Sequence, residues 1–507
     1  MLVALALATA LHAAQTTSSI GGQVLNSVDD EPVNGVELVL TEAASASTPL
    51  KFVTETRGLF LFENLPPGRY VLLAEKGGFA RQVYGSRGNP LAGVTLSLAP
   101  GQEMNDLEFN LTPGSTIAGK ILDAAGNPVR KATVLALQPI YRRGSKEYIP
   151  LGSAASDENG EYRVTNLGPG NYLLSASSRN GEGIATFYPN SADLMNAAAV
   201  TVEAGATATG RDIRMVRAAT FRVAGKLAEE NAAASIAWLT RKGADATALV
   251  TRVAAPIDPD GSFDFPNVPP GTYVLTATEQ DGVAPASSPL SVIVTAKSVE
   301  GIVLKPQSSG ELSGTISMSA ADVPLPKGLQ VVLEAADALI PRPPRAAVGD
   351  DGKFTLKNLA AGRYIAHVQM PDKLYVRSVR YRALDVTENG FEFGAGVPAL
   401  LAISLSANGA VLEGRVRGPD GIPMAGAVVA LVPSVRRYSR YKETTTDQFG
   451  AFTLAGVAPG EYKVYAWDEI ETGAYQNAEW LKQYELKGRA IVAKQDGHET
   501  MVLRAIQ

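Results

Sequence analysis

The amino-acid sequence predicts an all-β protein built from five antiparallel β-sandwich domains in a string. A turn-strand-turn-strand block, DENGEYRVTNLGPGNYLLSA in its second copy, occurs five times. Glycine (49 residues) and proline (31 residues) together form about a sixth of the 507-residue chain, which favours many turns and short strands over helices. The chain also exceeds one ordinary core, since a domain averages about 150 residues.

Two markers recur in the repeated block: a turn glycine, and a tyrosine that follows a Pro-Gly or Ala-Gly step. The two markers are 12 residues apart in every copy, and successive turn glycines are 102, 101, 91 and 98 residues apart. The marker pairs are Gly58 and Tyr70, Gly160 and Tyr172, Gly261 and Tyr273, Gly352 and Tyr364, and Gly450 and Tyr462. Spacing held through five copies indicates a repeated domain of about 100 residues.

The predicted strands follow the same order in each copy. A glycine-containing apolar strand opens the unit, a second strand and a variable segment follow, and the block and a closing hairpin complete it. In the second copy, Tyr162, Val164 and Tyr172 are expected to face the core. Glu161 and Arg163 are expected to face water, because successive side chains of a strand point to opposite faces. The marker tyrosine is expected to fill the corner after the Pro-Gly step.

The joints between copies define the predicted domains. These comprise residues 17–113, 114–218, 219–307, 308–408 and 409–507, the last with an aromatic C-terminal segment. The joints are short, so neighbouring domains should touch. A domain of this size has a radius of gyration of about 13 Å, and five of them in an extended row would reach ~170 Å.

Residues 1–14 are expected to be an export signal peptide. Leu2 to Leu11 form an apolar run too short to span a bilayer, and Ala13 and Ala14 fit a cleavage site. The positive charge that usually precedes such a run is missing. No later stretch reaches 18 consecutive apolar residues. We therefore expect a mature chain without a transmembrane segment, exported to the periplasm, the outer surface or the medium.

These repeats resemble the carboxypeptidase regulatory-like domain family. The best matches to that family are GIPMAGAVVALV at 421–432, followed by the block at 447–462, and the second copy is nearly as close. The resemblance implies a transthyretin-like, carbohydrate-binding-like Greek-key sandwich in each copy. It also implies a non-catalytic companion module, and it makes carbohydrate the leading ligand class.

Composition and motifs argue against several other functions. The chain has no cysteine, which excludes disulfides and thiolate nucleophiles. A net charge of −5 does not suggest a nucleic-acid partner. The histidines His12, His367 and His498 lack a glutamate at the spacing of a zinc peptidase. We therefore predict no enzymatic activity, no cofactor and no metal.

Two further alternatives stay open. Carboxylates at the turns, such as Asp157, Asp260 and Asp351, fit either a calcium loop or a plain tight turn. Lys120 and Lys226 lie in opening strands, where an isopeptide bond of the collagen-adhesin type would release one ammonia.

The candidate binding residues come first from a basic, often tyrosine-containing segment before the block. Such segments are YRRGSKEY (141–148), LTRKG (239–243), IPRPPR (340–345) and RRYSRYKE (436–443). We select Arg436, Tyr438, Arg440 and Tyr441, which could stack on sugars or pair with acidic groups of a glycan or protein. The alternative is that charge and proline protect an edge strand from aggregation.

The C-terminal segment supplies two more candidates. Trp467 and Trp480 belong to a partly helical, aromatic-rich stretch that is expected either to stack on sugars or to cap the last sandwich. Two functions therefore remain open. One is an exported binding protein with a polysaccharide or envelope-protein partner, and the other is a structural spacer or interaction scaffold.

Overall fold

The computed structural model describes residues 18–43, 48–86, 93–178, 184–217, 219–228, 235–241, 252–279, 286–306, 309–335, 343–394 and 400–507. The predicted export signal and the joints near Ala218 and Ser308 lie outside these ranges. The basic segments 239–243 and 340–345 lie only partly inside them. The predicted domain limits stay a prediction.

The described strands form five sandwiches in chain order. The first has β1 (Ser18–Asn26), β2 (Glu37–Glu42), β3 (Leu50–Val53), β4 (Leu59–Leu65), β5 (Gly68–Glu75), β6 (Gln82–Val83), β7 (Leu96–Leu98) and β8 (Glu103–Leu111). The second has β9 (Ser115–Leu122), β10 (Thr133–Arg142), β11 (Ser145–Ala155), β12 (Glu161–Leu167), β13 (Gly170–Ser177), β14 (Thr186–Phe187), β15 (Ala199–Val202), β16 (Thr207–Ala208) and β17 (Ile213–Arg214). The third has β18 (Phe221–Leu227), β19 (Ser235–Arg241), β20 (Arg252–Pro256), β21 (Ser262–Val268), β22 (Gly271–Glu279), β23 (Leu290–Val294) and β24 (Val299–Leu304).

The last two sandwiches complete the chain. The fourth has β25 (Ser309–Met318), β26 (Gln330–Ala335), β27 (Arg345–Ala347), β28 (Lys353–Ala360), β29 (Gly362–Gln369), β30 (Tyr375–Tyr381), β31 (Leu384–Asp385), β32 (Phe391–Phe393) and β33 (Leu400–Ser406). The fifth has β34 (Ala410–Arg417), β35 (Val428–Pro433), β36 (Lys442–Thr445), β37 (Ala451–Val457), β38 (Gly460–Trp467), the helix α1 (Ala478–Leu481), β39 (Arg489–Ala493) and β40 (His498–Arg504). Within the described ranges, no helix has the length and apolar character that a membrane span requires.

Every sandwich divides its strands between two sheets by one scheme. In the fifth, the sheets have the orders β37-β34-β40 and β36-β35-β38-β39. The other sandwiches repeat this scheme, with β4-β1-β8, β12-β9-β16, β21-β18-β24 and β28-β25-β33 as counterparts of the first sheet. In the fourth, β30 and β31 extend this sheet beyond β33. The all-β class and the tandem sandwich repeats are thus confirmed.

Two details of the predicted topology are wrong. The opening strand pairs antiparallel with the first strand of the block but parallel with the closing strand, as β34 does with β37 and β40. The predicted closing hairpin does not form, because its two strands belong to different sheets: β39 pairs with β38, and β40 with β34. In the fifth sandwich the chain therefore crosses between the two sheets four times: after β34, after β36, at the Pro-Gly step after β37, and before the closing strand β40.

Five separate apolar clusters form the cores, one in each sandwich. The predicted alternation is confirmed in the second, where Tyr162 and Val164 are buried and Glu161 and Arg163 are exposed. All five marker tyrosines are buried, and each donates its hydroxyl proton to the carbonyl four residues earlier. The pairs are Tyr70 to Pro66 O (2.7 Å), Tyr172 to Gly168 O (2.9 Å), Tyr273 to Pro269 O (2.8 Å), Tyr364 to Ala360 O (3.0 Å) and Tyr462 to Ala458 O (2.7 Å).

The turn glycines are equally structural. Gly160 has a φ of +73°, which favours glycine because it has no Cβ. An added Cβ there would also lie 2.6 Å from Ile121 O of the opening strand. The repeated block is therefore a corner motif that fixes where the chain changes sheets.

The five sandwiches follow one another as predicted, but the chain folds back. Hydrogen bonds join the fifth sandwich to the first (Arg69 to Thr444, 3.1 Å) and to the second (Asn477 to Gly144, 2.8 Å). A further hydrogen bond joins Lys442 to the fourth at 3.4 Å. The described sandwiches therefore do not form the expected extended row, because these contacts bring the fifth sandwich against the first.

Candidate functional site

The hairpin of β10 and β11 carries the basic segment 141–148 at its tip, and this tip contacts the fifth sandwich. Arg143 and Gly144 form its two-residue turn with φ angles of 49° and 79°, a geometry whose twist suits a hairpin. A Cβ added to Gly144 would lie 2.9 Å from Tyr438 Oη and 3.0 Å from Gln476 O. Glycine is therefore needed here both for conformation and for close approach.

Three hydrogen bonds hold this tip. They run from Tyr141 N to Thr472 O (2.7 Å), from Arg143 N to Gln476 Oε1 (2.9 Å) and from Asn477 Nδ2 to Gly144 O (2.8 Å). The Tyr141 ring is buried in a second apolar cluster of the fifth sandwich. Burial and the neighbouring Glu471 raise the pKa of its phenol to about 12. The tip is thus an integral part of the fifth sandwich's surface.

Arg143 connects three sandwiches. Its guanidinium lies 5.1 Å from the centre of the Tyr438 ring in the fifth sandwich. Nη2 donates to Glu388 O at 3.2 Å, and Nη1 lies 3.9 Å from Glu334 Oε2, both in the fourth. Glu388 in turn accepts from Ser439 N at 3.4 Å. The second, fourth and fifth sandwiches therefore share one polar junction.

The four candidate residues of segment 436–443 lie at this junction. Tyr438 and Tyr441 stack with ring centres 5.8 Å apart, and Tyr441 also contacts Tyr475. Burial raises the pKa of the Tyr441 phenol. Arg440 Nη1 donates to Pro459 O at 2.7 Å, whereas Arg436 is exposed. The segment leads into the edge strand β36, as the edge-protection alternative expects.

Trp467 and Trp480 belong to a packed cap over the outer face of the fifth sandwich. Trp467 is 2% exposed and stacks on Tyr465 with ring centres 5.2 Å apart. Trp480 is half-buried, and its ring centre lies 5.7 Å from that of Trp467. The side chain of Asn477 accepts a hydrogen bond from Trp480 N at the start of α1. The structure thus has the cap that the sequence analysis weighed against a sugar-stacking platform.

A third set of contacts joins the fifth sandwich to the first. Gln448 Oε1 accepts from Ser97 N at 3.2 Å, and its Nε2 donates to Ser97 O at 3.1 Å. Thr95 and Thr445 face each other across the same joint at 3.2 Å. Ala425 also packs against the core of the first sandwich. The edge strand β7 is therefore covered by the fifth sandwich.

Two carboxylates at the junction have lowered pKa values. The pKa of Glu334 is lowered, first by its hydrogen bond with His367 at 2.9 Å and then by Arg143 and Arg142. The pKa of Asp385 is lowered by hydrogen bonds from Thr387, with smaller effects of Arg380 and Arg437. Both carboxylates are therefore held ionised chiefly by partners within the fourth sandwich, with smaller effects of arginines that include residues of the second and fifth.

The turn carboxylates are occupied by their own turns. Asp157 Oδ1 accepts from the amides of Asn159 (2.9 Å) and Glu161 (2.8 Å). Hydrogen bonds from Ser262 and Lys226 lower the pKa of Asp260. Among the described residues, no group of three or more histidines and carboxylates is placed to hold a metal ion. This geometry favours the plain-turn alternative over the calcium loop.

The two lysines considered for isopeptide bonds lie on the surface. Lys120 Nζ is 3.1 Å from Glu161 Oε1, and Lys226 Nζ is 2.9 Å from Asp260 Oδ2. Both lysines are about half-exposed. Each therefore forms an ordinary ion pair across the outer face of its sheet.

Sequence reasoning missed three residues that join sandwiches: Arg143 and Glu388 at the junction, and Gln448 at the contact with the first sandwich. Arg143 stood in a basic segment that was recognised, but its partners lie far along the chain, such as Gln476, 333 residues away. Glu388 and Gln448 carried no local signal, because a single polar residue in a loop is common.

Comparison with known proteins agrees with the repeat structure. The family model described as "Carboxypeptidase regulatory-like domain" matches residues 19–112, 116–216 and 411–477, about half of the chain. No curated protein matches the chain.

Several solved structures show a distant likeness. The TIE protein of Bacillus anthracis is 11% identical, with 74% of this chain and 67% of that one covered and a TM-score of 0.17. A streptococcal ancillary pilin is 12% identical, with 57% and 99% covered and a TM-score of 0.18. Two B repeat units of the collagen-binding protein of Staphylococcus aureus are 12% identical, with 77% and 100% covered and a TM-score of 0.13. Values this low support no inference about function. The three family matches and the repeated corner motif together establish that the chain belongs to the carboxypeptidase regulatory-like domain family.

Proposed function

We propose that this chain is an exported scaffold protein of the cell envelope without enzymatic activity. The observation that carries the proposal is the central position of the fifth sandwich, which hydrogen-bonds to the first, second and fourth. Contacts of this kind hold several domains in a fixed relation, which suits a protein that presents surfaces to another envelope component.

The chemistry of the polar side chains supports a non-enzymatic role. His367 and His498 pair with Glu334 and Glu413 on exposed sheet faces, at 2.9 Å and 3.1 Å. Turn aspartates such as Asp157 accept from backbone amides. These groups stabilise turns and sheet surfaces, and their arrangement matches no nucleophile–base pair.

Carbohydrate binding is the second candidate function. It is supported by Arg436, whose side chain is exposed at the junction, and by Tyr438, whose side chain is half-exposed there. It is not supported by Trp467, whose ring is 2% exposed and packed against Tyr465 and Trp480. A sugar would have to bind beside the cap and not on the Trp467 ring.

Small-angle X-ray scattering on the full chain tests the scaffold. A folded-back chain has a maximum dimension well below the ~170 Å of five domains in a row, whereas a value near that length would contradict the proposal. The matched variant is Gly144→Val, which should lengthen the chain, and the control is Gly126→Val, since a Cβ at Gly126 meets no atom within 4 Å.

A glycan array separates the two candidate functions. Binding by the full chain that disappears with Arg436→Ser and Tyr438→Ala would establish carbohydrate recognition at the junction. No binding above background by the full chain would leave the scaffold as the function, whereas equal binding by the chain and its variants would place a glycan site away from these two residues. Amino-terminal sequencing of the secreted protein would test export and the cleavage near Ala14.

A further inference from the structure

We propose that the junction of the second, fourth and fifth sandwiches binds an acidic polysaccharide through Arg380 and Arg437, together with Arg142 and Arg436 of the same surface. This inference rests on the proposed function, because it names the envelope component that the assembled scaffold would hold. It concerns a surface that exists only when three sandwiches are in contact.

The structure brings together basic segments that are far apart in sequence. Segment 141–148 meets segment 436–443 where Arg143 lies 5.1 Å from the Tyr438 ring centre. Segment 375–392 joins them, because its Glu388 accepts from Arg143 through the backbone (3.2 Å) and from Ser439 through the carboxylate (3.4 Å). The three segments thus form one continuous surface.

This surface concentrates positive charge. Residues 141–148, 375–392 and 436–443 contain ten lysines and arginines and five aspartates and glutamates. Glu334 and Glu471 also lie at this surface, beside Arg143 and Lys146, and reduce the excess to three positive charges, whereas the whole chain has a net charge of −5. A local excess of one sign attracts an oppositely charged partner and raises its rate of association. An anionic ligand would therefore be attracted to the junction.

The arginines of this surface divide into two groups by their contacts. Arg143 and Arg440 are committed to internal partners, namely Glu388 O and Pro459 O. Arg380 and Arg437 are exposed. Arg380 lies opposite Asp385 in the pairing of β30 with β31, and the segment that contains Arg437 reaches the following loop, where Ser439 N donates to the Glu388 carboxylate. Both exposed guanidinium groups can therefore reach an external anion.

The chemistry of the guanidinium group selects the ligand class. Its planar fork binds carboxylate or sulfate groups with two parallel hydrogen bonds. Arg142, Arg380, Arg436 and Arg437 come from three sandwiches and are all exposed, so a polymer with regularly repeated anionic groups can contact several of them at once. Such linked contacts strengthen binding without requiring any single strong one. An acidic polysaccharide of the uronate type meets these requirements.

Binding of polygalacturonate to the full chain, measured by biolayer interferometry at low salt, tests the inference. The double variant Arg380→Ser/Arg437→Ser should weaken binding by roughly tenfold or more, because each arginine supplies charge-assisted hydrogen bonds. The matched control is Arg163→Ser/Arg415→Ser, which removes two exposed arginines elsewhere and should change affinity by less than about twofold. Dextran serves as the neutral polymer and duplex DNA as a polyanion that is not a polysaccharide.

Several outcomes would overturn the inference. Equal losses in the two double variants would mean that only net charge matters. DNA bound as tightly as polygalacturonate, or dextran bound equally well, would mean that the surface does not select an acidic polysaccharide. A full chain that binds none of the polymers yet is compact in scattering would overturn this inference and leave the scaffold standing. An extended scattering profile would instead contradict the scaffold itself.

Discussion

The side chain of Gln448 pairs with the backbone of Ser97 in the same way as a neighbouring strand would. Ser97 N donates to Gln448 Oε1 at 3.2 Å, and Gln448 Nε2 donates to Ser97 O at 3.1 Å. Ser97 lies in β7, an edge strand of the first sandwich. Because an uncovered edge is prone to pair with other chains, this amide both joins two sandwiches and protects the edge.

Replacing Gln448 by glutamate should weaken this joint. A carboxylate can still accept the hydrogen bond from the Ser97 amide, but it cannot donate to the Ser97 carbonyl. One hydrogen bond of about 1 kcal/mol is therefore lost, and the Ser97 carbonyl is left without this donor. Hydrogen exchange of the β7 amides should become faster, and scattering should show a larger chain. Gln483→Glu, on the exposed C-terminal segment, is the control, and unchanged β7 exchange in Gln448→Glu would contradict the prediction.

The marker tyrosines give a second prediction, at Tyr462. Tyr462→Phe keeps the ring in the core but removes the hydroxyl that donates to Ala458 O at 2.7 Å. Leaving that buried carbonyl unpaired should cost about 1–3 kcal/mol in the free energy of unfolding. Hydrogen exchange in β37 and β38 of the full chain would report the loss. Tyr438→Phe, at a half-buried ring, should leave exchange in these strands within experimental error.

The repeated corner could be predicted because both of its markers act locally. Gly160 needs its positive φ within its own turn, and Tyr172 bonds to Gly168, four residues earlier. Patterns of this length are visible in sequence. The predicted closing hairpin was wrong because two strands that follow each other in sequence can either pair with each other or join different sheets. Apolar and polar residues alternate in the same way in both cases.

The candidate site was only partly predictable for a related reason. Segment 436–443 was identified by composition, but the partner of Tyr438 is Arg143 in another sandwich. The burial of Trp467 likewise depends on a cluster that includes Tyr141. Contacts between domains depend on complementary surfaces formed by residues that are several hundred positions apart in the chain. A single sequence carries no periodic signal for such complementarity.

A third prediction concerns the turn that docks the second sandwich. Gly144→Ala places a Cβ 2.9 Å from Tyr438 Oη and 3.0 Å from Gln476 O, so the Tyr438 ring or the tip must shift and the contact with the fifth sandwich should loosen. Exchange at the Tyr141 amide, which donates to Thr472 O, should become faster.

Gly126→Ala provides a closely matched control for the docking prediction. Gly126 also has a positive φ, of 93°, but a Cβ there meets no atom within 4 Å. Alanine at a positive φ strains the backbone by about 1 kcal/mol in both variants. The two variants therefore differ only in the contact between the tip and the fifth sandwich. If both variants change exchange at Tyr141 equally, strain and not docking explains the effect.

The last prediction is that acid loosens the contact between the second and fourth sandwiches. The pKa of Glu334 is lowered in the folded chain by His367, Arg143 and Arg142, so ionised Glu334 stabilises the fold above its ordinary unfolded pKa of about 4.3. That stabilisation is lost as the pH falls through the lowered folded value. Scattering from pH 7 downwards should therefore show expansion only below about pH 4.

Glu334→Gln separates this effect from general acid unfolding. The amide keeps the shape of the side chain but carries no charge, so the variant should show the looser contact already at pH 7 and less change on acidification. Glu413→Gln is the matched control, because Glu413 pairs with His498 at 3.1 Å within the fifth sandwich. An expansion that follows the same pH course in the chain and in both variants would show that Glu334 does not hold the junction together.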